Sequence, residues 1–280
     1  MGQGPKEERR RRGRPRTASL DEEEGTVQAL DRGIRIMAAL AKEGRATLSD
    51  LALRVGMPPS SAHRLLVTLQ RSRMIEFHES TQEWLVGVEA FRIGNAFLQR
   101  NNLVEAGMAV MRRLVEETGE TANIAIADHG DVVFLCQVET PNPIRAFFPP
   151  GSRTPMHASG IGKMLLAELE QRAVERILQD KGLAEFTPKT LASPKQLFEE
   201  LERIRRRGWS LDDEERYSGM RCIAAPVYDV HGKAFAGISI SGPTARLTDA
   251  AAPEMATKVR QAAAELTALT GGSPRAQGSS

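Results

Sequence analysis

Gly56-Met57-Pro58-Pro59-Ser60-Ser61-Ala62-His63-Arg64-Leu65-Leu66-Val67-Thr68-Leu69-Gln70-Arg71-Ser72 is the stretch on which the fold of the first third of the chain turns. Glycine closes a preceding helix, and the two prolines stand at the first turn of the next one, where a missing N–H costs nothing. Ala62, Leu65, Leu66 and Leu69 then recur at i, i+3, i+4 and i+7, which predicts a helix from about Pro59 to Ser72 with one buried stripe. Its other face carries Ser60, Ser61, His63, Arg64, Thr68 and Arg71, and no acid lies between Pro58 and Arg73. Two hydroxyls, an imidazole and guanidiniums on one helix face suit a duplex groove. Arginine takes guanine edges or phosphates, and serines near a helix N-terminus reach phosphate oxygens beside the free backbone amides.

Working outward, Val27, Leu30, Ile34, Met37, Ala38 and Ala41 predict an amphipathic helix that stops at Gly44. Thr47 with Asp50 three residues on forms a capping pattern for a short second helix, with Leu48, Leu51, Ala52 and Val55 inward and Gly56 at its end. Downstream, Met74–His78 and Gln82–Val86 alternate around a polar turn, setting Ile75 and Phe77 against Trp84 and Val86. Helix, helix, turn, helix, hairpin is the order of a winged helix-turn-helix. The wing holds Glu79 and Glu83 and no lysine or arginine, which leaves phosphate contacts to the third helix and to the N-terminal arm.

The chain has 280 residues, 41% of them hydrophobic, enough for about two domains at roughly 150 residues each. A net charge of +2 conceals an asymmetry: residues 1–16 carry seven bases and two acids, Asp21–Glu24 are four consecutive acids, and residues 101–280 sum to −2. A polyanion would meet the N-terminal third. Residues 1–25 have too little apolar material to fold and read as a tail. Within it Arg12-Gly13-Arg14-Pro15-Arg16 resembles an AT-hook, whose guanidiniums lie in a narrow minor groove; an unspecific electrostatic arm is the alternative.

Residues 89–118 are again helical in spacing, broken at Asn101-Asn102 and closed by Gly119, and give a linker helix over 89–101. Strands and helices follow in a second domain: strands at Thr121–Ala127, Val132–Val138 and Ile144–Phe148, helices from about Ser159, Gln171 and Pro194, two strands about Val230-His231-Gly232, and a last helix over Ala250–Leu269. A two-residue turn at His231-Gly232 makes paired positions sum to 463, so that Cys222 faces Ser241 and Ala224 faces Ser239 on one side of the hairpin. Ile223 with Ile240 and Ala225 with Ile238 make the other side apolar. The first side is a floor for a small polar ligand. The run His157-Ala158-Ser159-Gly160-Ile161-Gly162-Lys163 opens a helix whose free amides at Gly160 and Ile161 attract a carboxylate. Asp212, read as an acceptor, disfavours a bare dianion and favours a hydrated aldehyde acid or a hydroxy acid.

Other classes are disfavoured. Cys136 and Cys222 are far apart with no metal-ligand spacing, no cofactor motif is visible, and His129, His157 and His231 read as turn or cap residues. No histidine stands near Cys222 or Ser239 in sequence to make a nucleophile and base pair, so no catalysis is expected. No apolar run reaches the roughly 18 residues of a membrane span, and a reducing cytoplasm is the expected setting.

Leu30-Asp31-Arg32-Gly33, Gly56-Met57-Pro58 to Leu69, Pro155-Met156-His157-Ala158-Ser159-Gly160-Ile161-Gly162-Lys163, Gly208-Trp209 to Glu215, and Arg221-Cys222-Ile223-Ala224-Ala225-Pro226-Val227 together resemble the IclR family of bacterial transcriptional regulators, over about residues 26–270. The resemblance implies an α+β chain: a winged helix-turn-helix over 26–88, the linker helix, a GAF-like α/β effector-binding and oligomerisation domain over 102–270, and a flexible tail over 271–280. It also implies dimers or dimers of dimers on palindromic double-stranded DNA operators. Members answering glyoxylate and pyruvate are similar in having Asp212, Cys222, Ser239, Ser241 and the Gly160 and Ile161 amides at effector positions; Ala146, Phe147 and Met220 are the expected apolar walls. A regulator of aromatic-acid catabolism, a GAF-like enzyme and a protein-interaction module are the alternatives, and repression versus activation stays open.

Overall fold

The computed structural model describes residues 27–98 and 102–273, in two compact units that divide between Gly94 and Asn95. The arginines Arg12, Arg14 and Arg16 lie outside the described residues, as do residues 274–280.

The first unit runs α1 (Gln28–Glu43), β1 (Arg45–Thr47), α2 (Leu48–Val55), α3 (Pro59–Arg71), β2 (Ile75–His78) and β3 (Glu83–Val86), with α4 (Val88–Leu98) crossing the division. Each boundary has a local cause. Thr47 and Asp50 close a reciprocal capping box on α2, and Gly56 ends that helix in the left-handed conformation with φ 68°. Pro59 starts α3, whose Ala62 and Leu66 are fully enclosed while Leu65 and Leu69 pack at the margin. Ile36, Leu40, Leu51, Ile75 and Trp84 complete this core. The hairpin has the expected register, Ile75 opposite Val86 and Phe77 opposite Trp84.

Two readings change. The sheet has three strands, because β1 pairs with β3 in the order β1-β3-β2; three residues are too few to show an alternation in sequence. On α1 the core face is Gly33, Ile36 and Leu40, whereas Leu30 and Ile34 of the expected stripe are 63% and 59% exposed. This helix bears two apolar stripes, and periodicity alone does not choose between them.

The second unit sandwiches one antiparallel sheet, β6-β5-β4-β9-β8-β7, between helices. Its strands are β4 (Thr121–Asp128), β5 (Asp131–Val138), β6 (Arg153–Pro155), β7 (Ser210–Asp213), β8 (Met220–Tyr228) and β9 (Ala234–Pro243). Ile124, Ile223, Ile238 and Ile240 on one face meet α5 (Leu103–Thr118) and α9 (Ala252–Leu269). Ala125, Phe134 and Ala224 on the other meet α6 (Gly160–Ala167), α7 (Gln171–Lys181) and α8 (Pro194–Arg207). This is the GAF-like α+β arrangement.

Residues 144–148 are not a strand; they cross in an irregular segment, and the edge strand is β6. The two-residue turn at His231-Gly232 is also replaced, by a loop over 229–233 in which Asp229 Oδ1 accepts from the His231 and Lys233 amides. A register shift between Val227 and Tyr228 compensates for the longer loop, so Cys222 opposite Ser241 and Ala224 opposite Ser239 hold.

Thr47→Ala removes the side-chain acceptor of the α2 cap and is expected to lower the stability of the first unit by about 1 kcal/mol. Chemical denaturation followed by circular dichroism checks this; an unchanged midpoint would remove the capping box from the account.

Candidate functional site

On α3, His63, Arg64, Thr68 and Arg71 are exposed with Ser60, and Ser61 is half-buried beside them. Neither Arg64 nor Arg71 is salt-bridged among the described residues, in contrast to Arg54, which pairs with Glu43 at 3.0 Å. Thr68 spends its hydroxyl proton on the Arg64 carbonyl at 2.8 Å, so toward an outside partner it offers only an acceptor. Pro58 supplies no side-chain cap, but its carbonyl accepts from the Ser61 and Ala62 amides at 3.0 Å, so at the start of α3 only the Ser60 amide is left to an outside partner. The wing gains a cation that its own sequence lacks, because β1 brings Arg45 to 3.6 Å from Glu83.

In the second unit the predicted polar residues converge on one cavity. Gly160, Ile161, Asp212, Cys222, Ser239 and Ser241 all line it, with free space of about 20 Å³, against roughly 10–15 Å³ for one water. Ser239 and Ser241 project from β9 and Cys222 from β8 at the expected parity, and Asp212 of β7 stands opposite Cys222. Asn123 on β4 donates to Ser241 Oγ at 3.3 Å and accepts from Gln137 at 2.9 Å, which orients that hydroxyl. The Cys222 thiol lies beside both serines. Ser239 Oγ is buried and has no oxygen or nitrogen partner among the described residues.

The start of α6 forms the roof. Ser159 Oγ accepts from the Gly162 amide at 3.3 Å, and the Gly160 and Ile161 amides, one and two positions into the helix, have no intrahelical acceptor. Glycine is needed at 160 because a Cβ there would lie 2.8 Å from Cys222 Sγ and 3.2 Å from its carbonyl oxygen. Ser210 Oγ donates to the Gly160 carbonyl at 2.6 Å, tying the helix start to β7. Lys163, one turn further on, is fully buried; its ammonium donates to the Leu211 carbonyl at 2.6 Å and pairs with Glu215. Removing one partner of such a pair typically costs about 3–5 kcal/mol, because the other charge stays buried.

Electrostatics corrects the reading of Asp212 as a plain acceptor. Burial, with the nearby Glu215 charge adding, pushes its carboxyl up to about 7. Near neutral pH it is therefore protonated in a large fraction of molecules and can donate. Its Oδ1 already accepts from the Glu215 amide at 2.8 Å. Burial also pushes the Cys222 thiol up to about 11, so it is a neutral weak donor rather than a nucleophilic thiolate.

The apolar walls differ from expectation. Phe147 points away and is 65% exposed, Ala146 is buried elsewhere, and Met220 does not reach the cavity. Phe134 and Phe148 form the wall instead, stacked at 4.6 Å with 8° between their planes. The alternation of Val132, Phe134 and Cys136 on β5 could have flagged Phe134; Phe148 sits in the irregular segment and gives no periodic signal. Arg216, also on the lining, directly follows the acids of Asp212–Glu215 and has no periodic signal of its own in the sequence.

This geometry agrees with what the chain is similar to. The IclR helix-turn-helix domain matches residues 29–79, and the bacterial transcriptional regulator IclR C-terminal domain matches residues 95–268. The chain belongs to the IclR family. It is 49% identical over 260 residues to the HTH-type transcriptional regulator BhcR of Paracoccus denitrificans, covering 92% of this chain and 93% of that one. It is 40% identical over 265 residues to the transcriptional repressor IclR of Escherichia coli, covering 94% and 97%. The crystal structure of the Thermotoga maritima IclR superposes with a TM-score of 0.72 at 26% identity, over 86% of this chain and 98% of that chain. The protein is thus a transcriptional regulator that binds DNA through its helix-turn-helix domain, and its relatives are regulators rather than enzymes. No helix among the described residues is long and apolar enough to cross a membrane.

A carboxyl raised from 3.8 to about 7 binds its proton more tightly in the folded state. Its contribution is fully present below pH 3.8 and is lost as pH rises through about 7. Asp212→Asn is expected to flatten the fall in stability across that window, read from denaturation midpoints at several pH values. An identical pH profile for the variant and the wild type would contradict the buried, proton-holding Asp212.

Proposed function

We propose that this IclR-family regulator senses a small 2-oxo acid, glyoxylate first and pyruvate second, and that the acid alters the operator affinity of an oligomer. The observation that carries the reading is a cavity of about 20 Å³ whose lining combines two helix-start amides, two serines, a thiol and a proton-holding carboxyl. The Gly160 and Ile161 amides with Ser239 and Ser241 hold the carboxylate; Asp212 and Cys222 meet the aldehyde, the ketone or its hydrate. An aromatic acid fits less well, since most of the lining residues are small or polar. Stacked Phe134 and Phe148 would have to part to admit it.

On the DNA side, Ser60, Ser61, His63, Arg64, Thr68 and Arg71 read or position a palindromic operator, and Arg12, Arg14 and Arg16 add an arm. Repression is the favoured sense, in line with the repressor among the relatives. Control requires that the DNA-competent and DNA-incompetent states differ in affinity for the acid. The continuous route from the cavity runs through β9 to its neighbour β4 and on to α5, where Gly107 lies so close to Ile124 that a Cβ would come within 2.3 Å of it. Genes of glyoxylate or glycolate use are the targets that such an effector implies.

Calorimetric titration of the full-length protein with glyoxylate, pyruvate and benzoate tests the effector. Glyoxylate should bind with pyruvate weaker and benzoate undetected, and Asp212→Ala with Cys222→Ala should weaken glyoxylate at least tenfold. Tighter binding of benzoate than of glyoxylate, or unchanged glyoxylate affinity in the double variant, would reject the assignment.

A further inference from the structure

Arg216 sits on the cavity lining at an unusual electrostatic position. Every other cation near the site is paired: Lys163 with Glu215, Lys189 with Asp213 and Glu214, and Arg221 with Asp213 and Asp249. Arg216 forms no salt bridge among the described residues, and its Nε is buried with no hydrogen-bond partner. What holds it is stacking. Its guanidinium carbon lies 3.9 Å from the Phe186 ring centre and 5.2 Å from that of Tyr217. Aromatic faces attract the cation yet accept few of its N–H groups, so they fix the group while leaving its donors free.

The charges facing the cavity make this cation unbalanced. Burial lowers the basicity of His157, whose Nε2 meets the Ala184 carbonyl and whose ring stacks with Phe186, and keeps it neutral. Glu200 of α8 is taken up by Arg203 and Arg207. Lys163 and Glu215 cancel. No carboxylate among the described residues forms a salt bridge with Arg216 and its Nε has no hydrogen-bond partner, and a half-enclosed charge of this kind is stabilised by an anion.

We propose that Arg216 is a further effector contact that sets specificity: its stacked guanidinium supplies the counter-charge for the carboxylate of a monoanionic oxo acid, so that the cavity selects the acid over neutral carbonyl compounds of the same size. The assignment rests on the reading of this cavity as the effector site. Arg216 is itself a lining residue, so a carboxylate held in the cavity is a neighbour of this side chain. Behind protein walls such a charge is screened little. The helix-start amides and serines orient the carboxylate by direction; Arg216 contributes charge, which those neutral groups lack.

The test compares glyoxylate with neutral glycolaldehyde, in calorimetry and in ligand-induced thermal shift, on the full-length wild type, Arg216→Gln and Arg216→Lys. Arg216→Gln should lose at least tenfold in glyoxylate affinity with glycolaldehyde within twofold of wild type. Arg216→Lys, which keeps the charge and changes the stacking, should retain the preference for glyoxylate, and it serves if the glutamine variant does not fold. A less than twofold loss of glyoxylate affinity in Arg216→Gln would overturn the assignment while leaving the cavity as the effector site. An equal loss of both ligands would make Arg216 a structural plug and overturn it too. Wild-type protein that binds neither glyoxylate nor pyruvate would overturn the assignment together with the reading beneath it.

Discussion

The buried Lys163 ammonium is the constraint on which the second unit depends. Taking it out of water is unfavourable by several kcal/mol, and the Glu215 carboxylate and the Leu211 carbonyl offset this only if α6, β7 and the turn after β7 stand where they do. That requirement lowers the first turn of α6 onto Cys222, where residue 160 must be glycine, and so aims two amides into the cavity. Burial of β7, with the Glu215 charge adding, disfavours the Asp212 anion and makes it a proton donor near neutral pH. The ion pair thus fixes the position of the roof, and the depth of burial sets the chemistry of the wall.

The same logic of local necessity makes the first unit legible. A capping box, a left-handed glycine and a proline at a helix start are chemical statements about backbone groups, and they fix α2, the turn and α3 without reference to the rest of the chain. Strand parity works equally well for the floor of the cavity, since period two puts Cys222, Ser239 and Ser241 on one side once the pairing is known. The agreement rests partly on compensation: the connection is a loop over 229–233 rather than a two-residue turn, and the register shift at Val227 and Tyr228 absorbs the difference.

What the sequence withheld has physical reasons as well. The three-residue strands β1 and β6 and the four-residue β7 are too short to show alternation, and α1 has two apolar stripes of similar strength. Phe148 and Arg216 are placed by irregular backbone and by stacking across elements, which leave no periodic trace. Asp212 is visible as a carboxyl, but its protonation depends on how deeply β7 is covered and on Glu215 being held nearby by a lysine 52 residues earlier in the chain. Such a property belongs to the packed structure.

The central claim is that occupancy of this cavity by a small oxo acid changes DNA affinity. Fluorescence anisotropy of the full-length protein on a labelled duplex from upstream of its own gene, at fixed salt and with or without millimolar glyoxylate, tests it most directly. The account predicts binding tighter than to random duplex, an affinity shifted by glyoxylate, and loss of that shift with retained DNA binding when Asp212 and Cys222 are both alanine. Specific binding that stays the same at saturating glyoxylate would contradict it.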